Sequence, residues 1–406
     1  MAAGLLDQNG LRQRVEQLAA FQRGSCSDGE RRAAELIAAD LRDFGLEPVV
    51  ERERAHGTYW WPVGLPQAAA VAAGLRGGVL GAAVGTLAAA SAADDVTVGP
   101  QLLRRLLPSR DTQNVWAEAG DPAADRTLVF MAHHDSAHSG LVFHPGLLRK
   151  TFDVLPDAVN RHTNTTPPTM WLAVAAPLAV AVGSLLRRRR LRVAGVVAAA
   201  GYAAAMADIG RSQVVPGAND NATGVAALLS LARALGSEPP AGVRVIVLFP
   251  GAEESFEEGM NRWSKRHFTH LPRESTTFIC LDTVGSPRLA LLEGEGMLGI
   301  HEYTKDVLAF VRSCLREIGV PHVPNLRFRN ATDALIPLKA GYPTAMLGSV
   351  DEYKLPTNYH WPTDTADRVD YGTVEDTARL CLRIVERTAG AGAHSSRAHG
   401  GAYAPA

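Results

Sequence analysis

The sequence has no C-x-x-C pair: its four cysteines are Cys26, Cys280, Cys314 and Cys381, widely spaced along 406 residues. That spacing gives neither a zinc ribbon nor a dense disulfide framework, and leaves the thiols as small apolar side chains of a core. A basic excess is missing too, with 41 Lys and Arg against 42 Asp and Glu for a net charge of -1. Nucleic-acid binders normally carry such an excess or a basic stripe, so no nucleic-acid partner is expected. The opening MAAGLLDQNGLRQR lacks the basic start and apolar run of a cleavable signal peptide. What the chain does have is apolar residues, 46% against 20% charged, which can build a substantial core.

Hydrophobic spacing locates the elements. Ala33, Ile37, Leu41 and Phe44 recur at helical intervals, so a helix is expected over 30–44, capped by Ser27 or Asp28 and followed by Gly45. A strand is expected over 47–54. Four continuous apolar runs follow, at 127–132, 243–249, 277–281 and 344–347. Such runs fit strands buried on both faces of a parallel sheet. Helical patterns occupy 224–235, 302–318 and 374–387. The alternation predicts an α/β fold, a three-layer sandwich with a mostly parallel mixed sheet. The tail, 389–406, shows no periodicity and is expected to be disordered.

Two apolar stretches interrupt this pattern as helical insertions. One, 60–93, is rich in Ala, Gly and Val and is broken only by Arg76. The other contains uncharged runs at 170–186 and 193–207, separated by Arg187 to Arg190 and Arg192. A spanning helix needs about 20 residues, with about 17 as the lower limit. Both runs are marginal on length, but a soluble helix pair seldom has apolar residues on every face. The second stretch is therefore read as a transmembrane hairpin. The first is open between a second hairpin and surface-lying or soluble helices. The expected organisation is a catalytic domain carried by 1–59, 94–165 and 211–388, with insertions at 60–93 and 166–210.

Acidic and histidine residues gather at the ends of the expected strands. The run at 127–132 leads into His133, His134 and Asp135, the run at 243–249 leads toward Glu253 and Glu254, and the run at 277–281 leads into Asp282. Ligands of open α/β sheets bind beyond the carboxyl ends of the strands. Two further segments are turn-rich: P-G-A-N-D-N-A-T-G around Asp220, and N-Y-H-W-P-T-D around His360. Each piece alone is weak, since an H-x-D or a Glu pair is common on surfaces. Together they supply the nitrogen and carboxylate donors that zinc takes.

The ordered set A-H-H-D-S, P-G-A-N-D-N-A-T-G, G-A-E-E, L-D-T-V-G and Y-H-W-P-T-D-T resembles the M28 family of dizinc peptidases, in content and in order. The resemblance implies a zinc-peptidase-like sandwich and two zinc ions. It implies that Asp220 bridges both metals, that Glu254 and His360 complete one site, and that Asp282 joins His133 on the other. Asp135 would orient the His133 ring, and Glu253 would be the general base. Tyr359 would donate a hydrogen bond to the developing oxyanion. His134 falls at a variable position and is read as an ordinary loop residue. Asp333 sits where the family often has Ser-Asp-His, but Ala334 replaces that histidine, so Asp333 is read as structural. The implied activity is removal of N-terminal residues from peptides. Carboxypeptidase, amidohydrolase and aminoacyl-transfer chemistry remain alternatives, as does a non-catalytic membrane-anchored binding module. A soluble dimer with its apolar insertions packed together is a further alternative. The five arginines between the second pair of apolar runs favour an outward-facing catalytic domain in the cell membrane.

Overall fold

The four apolar runs form the middle of one sheet in the computed structural model, which describes residues 4–146, 150, 154 and 164–399, and no side chains beyond 390. They are β3 (Thr127–Met131), β4 (Arg244–Phe249), β5 (Thr276–Leu281) and β10 (Thr344–Val350). The pairs β4–β3, β3–β5 and β5–β10 are all parallel. Two strands extend one edge antiparallel, β1 (Val49–Ala55) and β2 (Arg110–Gly120), and β6 (Arg288–Leu291) closes the other edge antiparallel. The order is β1-β2-β4-β3-β5-β10-β6, a mixed sheet with a parallel centre. Met131 pairs with Leu248 on one side and Cys280 on the other, so these carboxyl ends finish level with one another.

Helices cover the sheet. The longest-buried of them, α7 (Thr223–Ser237), lies against β2, β4 and β5. It is packed in turn by α1 (Gln8–Ala19), α2 (Asp28–Asp43) and α11 (Tyr371–His399). A short helix, α8 (Glu258–His267), lies against β1 and β2 and packs on α10 (Leu335–Lys339). Between these, α9 (Lys305–Ile318) contacts β10 and α11. A small three-stranded sheet, β7 (Gly294–Glu295), β8 (His301–Glu302) and β9 (Arg327–Phe328), sits outside the main one.

The caps follow the local sequence. Ser27 accepts the Glu30 N–H at the start of α2, and Glu30 returns a bond by accepting the Cys26 N–H at 2.8 Å. Past its end, Gly45 sits at φ +82, where a side chain would be strained. Two features differ from the sequence reading. The helix α1 was not expected, because Asn9 and Gly10 dilute the Leu11, Val15, Leu18 stripe that buries it. The last helix runs on to His399 instead of stopping near 387. Its extension is rich in alanine, the best helix former, and meets no proline before Pro405. The rest of the expected disordered tail, 400–406, lies outside the described residues.

The two insertions fold into one object. The first gives α3 (Trp60–Arg76) and α4 (Gly78–Val96); the second gives α5 (Trp171–Leu185) and α6 (Arg189–Arg211). The pairs α4–α5, α5–α6, α3–α6 and α3–α4 all pack, making a four-helix bundle. Small residues permit the close approach. A Cβ added to Gly85 would lie 2.8 Å from Ala181 N and Pro177 O, and one added to Gly195 would lie 2.6 Å from Val180 N. Large apolar side chains instead point outward, with Leu75, Val79 and Leu87 exposed by 72%, 86% and 70%. Small residues thus face the inside of the bundle and bulky apolar ones face away from it.

At its base the bundle shares a core with the domain. Tyr59, Val63, Ala92, Val96, Ala173, Met206 and Ile209 pack with Phe256, Met297, Ala331 and Leu335. Beside that core, Arg104 pairs with Asp95 at the end of α4 at 2.7 Å and with Glu258 at 3.1 Å. Glu258 also accepts the His56 N–H at 2.8 Å and the Ser255 hydroxyl at 2.9 Å. Burial alone would raise the Glu258 pKa, but His56 and Arg104 outweigh it and hold it below the ordinary value. A depressed carboxylate contributes stability above its unfolded pKa and loses it as pH falls through the folded value. Glu258→Ala leaves Arg104 buried with half its compensation gone and should cost about 3 kcal/mol, seen as a lowered urea midpoint near neutral pH. An unchanged midpoint would contradict the pairing.

Candidate active site

The parallel centre of the sheet delivers its pieces at one edge. β3 runs into His133 and Asp135, β4 into the loop bearing Glu253 and Glu254, and β5 into Asp282. The turn before α7 adds Asp220, and the loop after β10 adds Tyr359 and His360. His133, Asp220, Glu253, Asp282 and His360 are all buried, and the Glu254 side chain is 7% exposed.

Asp220 stands between the two imidazoles. Its Oδ1 lies 3.3 Å from His133 Nε2, and its Oδ2 lies 3.3 Å from His360 Nε2. Glu254 Oε2 is 3.1 Å from His360 Nε2. On the other side, His133 Nε2 is 3.9 Å from Asp282 Oδ2 and 3.7 Å from Glu253 Oε2. Among the described residues, two sets of ligand atoms are close enough to share an ion: His133, Asp220 and Glu254, and His133, Glu253 and Asp282. The expected residues thus meet at one place, and Glu253 lies as near to His133 as a ligand would.

The surrounding bonds fix these positions. Asp135 Oδ1 lies 3.3 Å from His133 Nδ1. The same carboxylate accepts the N–H groups of Glu253 at 3.1 Å and Glu254 at 3.2 Å, and the Ser25 hydroxyl at 2.5 Å. It therefore ties the imidazole and the glutamate loop to one anchor. Asp364 accepts the N–H groups of Asn219 and Asp220 at 2.7 and 3.1 Å. Glu30 reaches from α2 to accept the Ala252 N–H at 2.7 Å. Gly217, at φ +64, opens the turn; a Cβ there would lie 2.7 Å from the Ser136 side chain.

Electrostatics sets the proton affinities. Burial would lower the His133 pKa, but Glu253, Asp135, Asp220 and Asp282 reverse this and carry it well above the ordinary value. His360 is likewise carried to about 10 against its burial, by Glu254 and Asp220. Burial raises the Asp282 carboxyl to about 7, and it raises Glu253 and Glu254 as well. Asp220 goes the other way: the facing imidazoles of His133 and His360 outweigh its burial and lower it. Carboxylates so crowded call for positive charge. His133 Nε2 and Glu254 Oε1 are buried without a hydrogen bond among the described residues. Each such atom costs about 1–3 kcal/mol. A divalent ion accepting these lone pairs would remove that cost, so the donor set fits a metal.

Some residues of the site carried no sequence signal. Arg23, fully buried, donates to the carbonyls of His134 at 3.0 Å, Gly217 at 2.5 Å and Pro216, clamping two site loops together. It is an isolated arginine after a helix, with nothing local to mark it. Asp364 did stand inside a quoted motif, at the position that closes it. His134 is no ordinary loop residue: it is fully buried, its Nδ1 lies 2.8 Å from the Pro250 carbonyl, and burial pushes its pKa down to about 4. A neutral ring thereby joins the ends of β3 and β4. Asp333 is also buried, but neither of its oxygens makes a hydrogen bond among the described residues. A purely structural carboxylate would normally be bonded, so that reading of Asp333 finds no support. Tyr359 stacks on His360 with ring centroids 3.8 Å apart and lines the site cavity with Phe328, Asn330 and Met346. That cavity is small, about 20 Å³. A larger hollow of about 800 Å³ lies over α2 and the β1–β2 edge, lined by Arg31, Arg52 and Arg54 and by none of the site residues.

The fold has solved counterparts. The chain superposes on a Zn-dependent exopeptidase from Parabacteroides distasonis with a TM-score of 0.56 and 15% identity, covering 93% of this chain and 97% of that one. It also superposes on a glutaminyl cyclase from Bacteroides thetaiotaomicron, with a TM-score of 0.57, 15% identity and coverage of 94% and 98%. A zinc aminopeptidase from Bacillus subtilis gives 0.54 at 15% identity, over 94% of each chain. No curated protein matches by sequence. The model of peptidase family M28 matches residues 203–385, the stretch that carries Asp220, Glu253, Glu254, Asp282 and His360. Over that stretch, the chain is similar to peptidase family M28.

Proposed function

We propose that this chain is a zinc-dependent aminopeptidase anchored in a membrane. One observation carries the metal reading: the two oxygens of Asp220 each face a different buried imidazole at 3.3 Å. A carboxylate so placed suits a bridge between two zinc ions, with His133 and Asp282 on one and Glu254 and His360 on the other. Zinc bound there supplies a polarised carbonyl and an acidified water. The chain's own residues do the rest. Glu253, whose carboxyl burial pushes above its ordinary value, takes and returns the proton. Asp135 holds the His133 ring and the backbone of both glutamates in place. Tyr359, beside His360, is placed to donate to the developing oxyanion. The fold shared with exopeptidases and the M28 match support a peptide substrate. Aminoacyl anilides should be cleaved and their N-acetylated forms spared; equal turnover of both would overturn the aminopeptidase claim.

Anchoring rests on the bundle. α4 and α6 are long and apolar enough to cross a bilayer. Their rises are about 28 and 34 Å against a hydrocarbon core of about 30 Å. The bundle's far end is arginine-rich: Arg187 to Arg190 are exposed, and Arg192 packs on the Gly77 turn. Its near end holds Asp94, Asp95 and Asp208. Of the basic residues on the domain side that count against an outward domain (Arg104, Arg105, Arg149, Lys150 and Arg211), Arg104 is 2% exposed and paired with Asp95, whereas Arg105 and Arg211 are exposed. This asymmetry favours the arginine end in the cytoplasm and the catalytic domain outside. The protein should stay with membranes through alkaline carbonate. All four cysteines are buried, so labelling background is low. In intact cells a membrane-impermeant maleimide should label Arg273→Cys and spare Arg188→Cys; the reverse pattern would invert the orientation.

A further inference from the structure

A second cavity adjoins the metal-ligand cluster. It has a volume of about 560 Å³ and shares Phe328, Asn330, Pro356 and Tyr359 with the small space around Asp220, Glu253 and Asp282. Its outer wall is the second insertion. Ala198, Gly201, Tyr202 and Ala205 line it at intervals of one helical stripe of α6, and Met170 and Leu172 line it at the start of α5. The stripe is shallow: a Cβ added at Gly201 would meet nothing within 4 Å. Val142 and Leu172 sit at the rim, 48% and 47% exposed, and Val197 continues the apolar track along α6 at 66%.

We propose that this cavity receives a long unbranched hydrocarbon chain of the substrate, so that the site acts on amphiphilic amides. The inference rests on the hydrolytic reading of the metal cluster and names its substrate class. Size argues for it first. A cavity of about 150 Å³ already takes benzene, so 560 Å³ exceeds what a single phenylalanine or leucine side chain fills. The space among the site carboxylates is only about 20 Å³, and substrate bulk has to lie elsewhere. Polarity argues second. The walls are overwhelmingly apolar, the Tyr202 hydroxyl already lies 3.0 Å from Met170 Sδ, and the charged Arg329 lies over the Trp171 ring at 5.2 Å. A peptide segment laid in this cavity would bury N–H and C=O groups with few partners. A hydrocarbon chain needs none. The insertion helices α5 and α6 build this outer wall.

The test uses the full-length, zinc-loaded protein in detergent with p-nitroanilides of alanine, norleucine, 2-aminooctanoic acid and 2-aminododecanoic acid. Burying each methylene should raise kcat/KM about fourfold until the cavity is full. Gly201→Trp should flatten that series while leaving the alanine anilide within about twofold; Ala205→Phe serves as a second blocking variant should the first misfold. Calorimetric binding of free 2-aminododecanoic acid gives a readout without turnover, and it should be lost in both variants. A flat series in the unaltered protein, or a series still rising in a folded blocking variant, overturns the inference. Failure to hydrolyse any anilide, with calorimetric binding intact, overturns the peptidase reading and leaves the cavity assignment standing.

Discussion

Glu253→Gln should lower kcat by about 10²–10⁴-fold while zinc content stays at the level of the unaltered protein. Glutamine keeps the volume of the side chain and its place on the loop, whose backbone is held by Asp135. It removes only the capacity to take a proton. The geometry makes the metal assay essential, because Glu253 Oε2 is 3.7 Å from His133 Nε2 and belongs to one of the two ligand-capable sets. Were Glu253 a ligand and not the base, the variant would lose zinc along with turnover. Full activity in the variant would remove Glu253 from the mechanism altogether.

Asp220→Ala should have the larger effect. Glu253→Gln takes away one proton carrier, whereas Asp220→Ala takes away the carboxylate that faces both imidazoles. Zinc stoichiometry at saturation should fall below about two per chain, and turnover should fall beyond the roughly 10⁴-fold ceiling of lost general-base catalysis. Removing this carboxylate also removes a counter-charge, 3.3 Å from each imidazole, that raises His133 and His360. Both pKa values should then drop, and titration of the metal-free variant by NMR would register it. Two zinc ions retained with normal turnover would refute the bridging role.

The positions that gather at the site were legible because chemistry and topology coincide there. A strand buried on both faces reads as an apolar run, and the first polar residues after it fall at the sheet edge. His133 and Asp282 are of that kind, one or two residues past β3 and β5. What holds those residues was mostly illegible. Arg23 bonds to carbonyls of residues far along the chain, and a carbonyl carries no side-chain signature. His134 looked like a loop residue because its partner is the Pro250 backbone, likewise invisible in sequence. The antiparallel edge strand β6 is short and gave no run to notice. For the insertions, composition identified the helices but not their mutual packing. Alanine and glycine faces have no pattern that distinguishes a neighbour from lipid, so the joining of α3 and α4 to α5 and α6 appears only in three dimensions.

The core shared at the base of the bundle dictates how a version of the chain without the bundle could be cut. Deleting the insertions at their first helical residues would strip Val63, Ala92, Ala173 and Met206 from Phe256 and Leu335. Phe256 follows the glutamate pair by two residues, so the exposed face would lie directly under the glutamate loop. Arg104 would also lose Asp95. Short connectors should therefore replace only the outer turns of the four helices, leaving the lowest turn of each as a plinth for the active site.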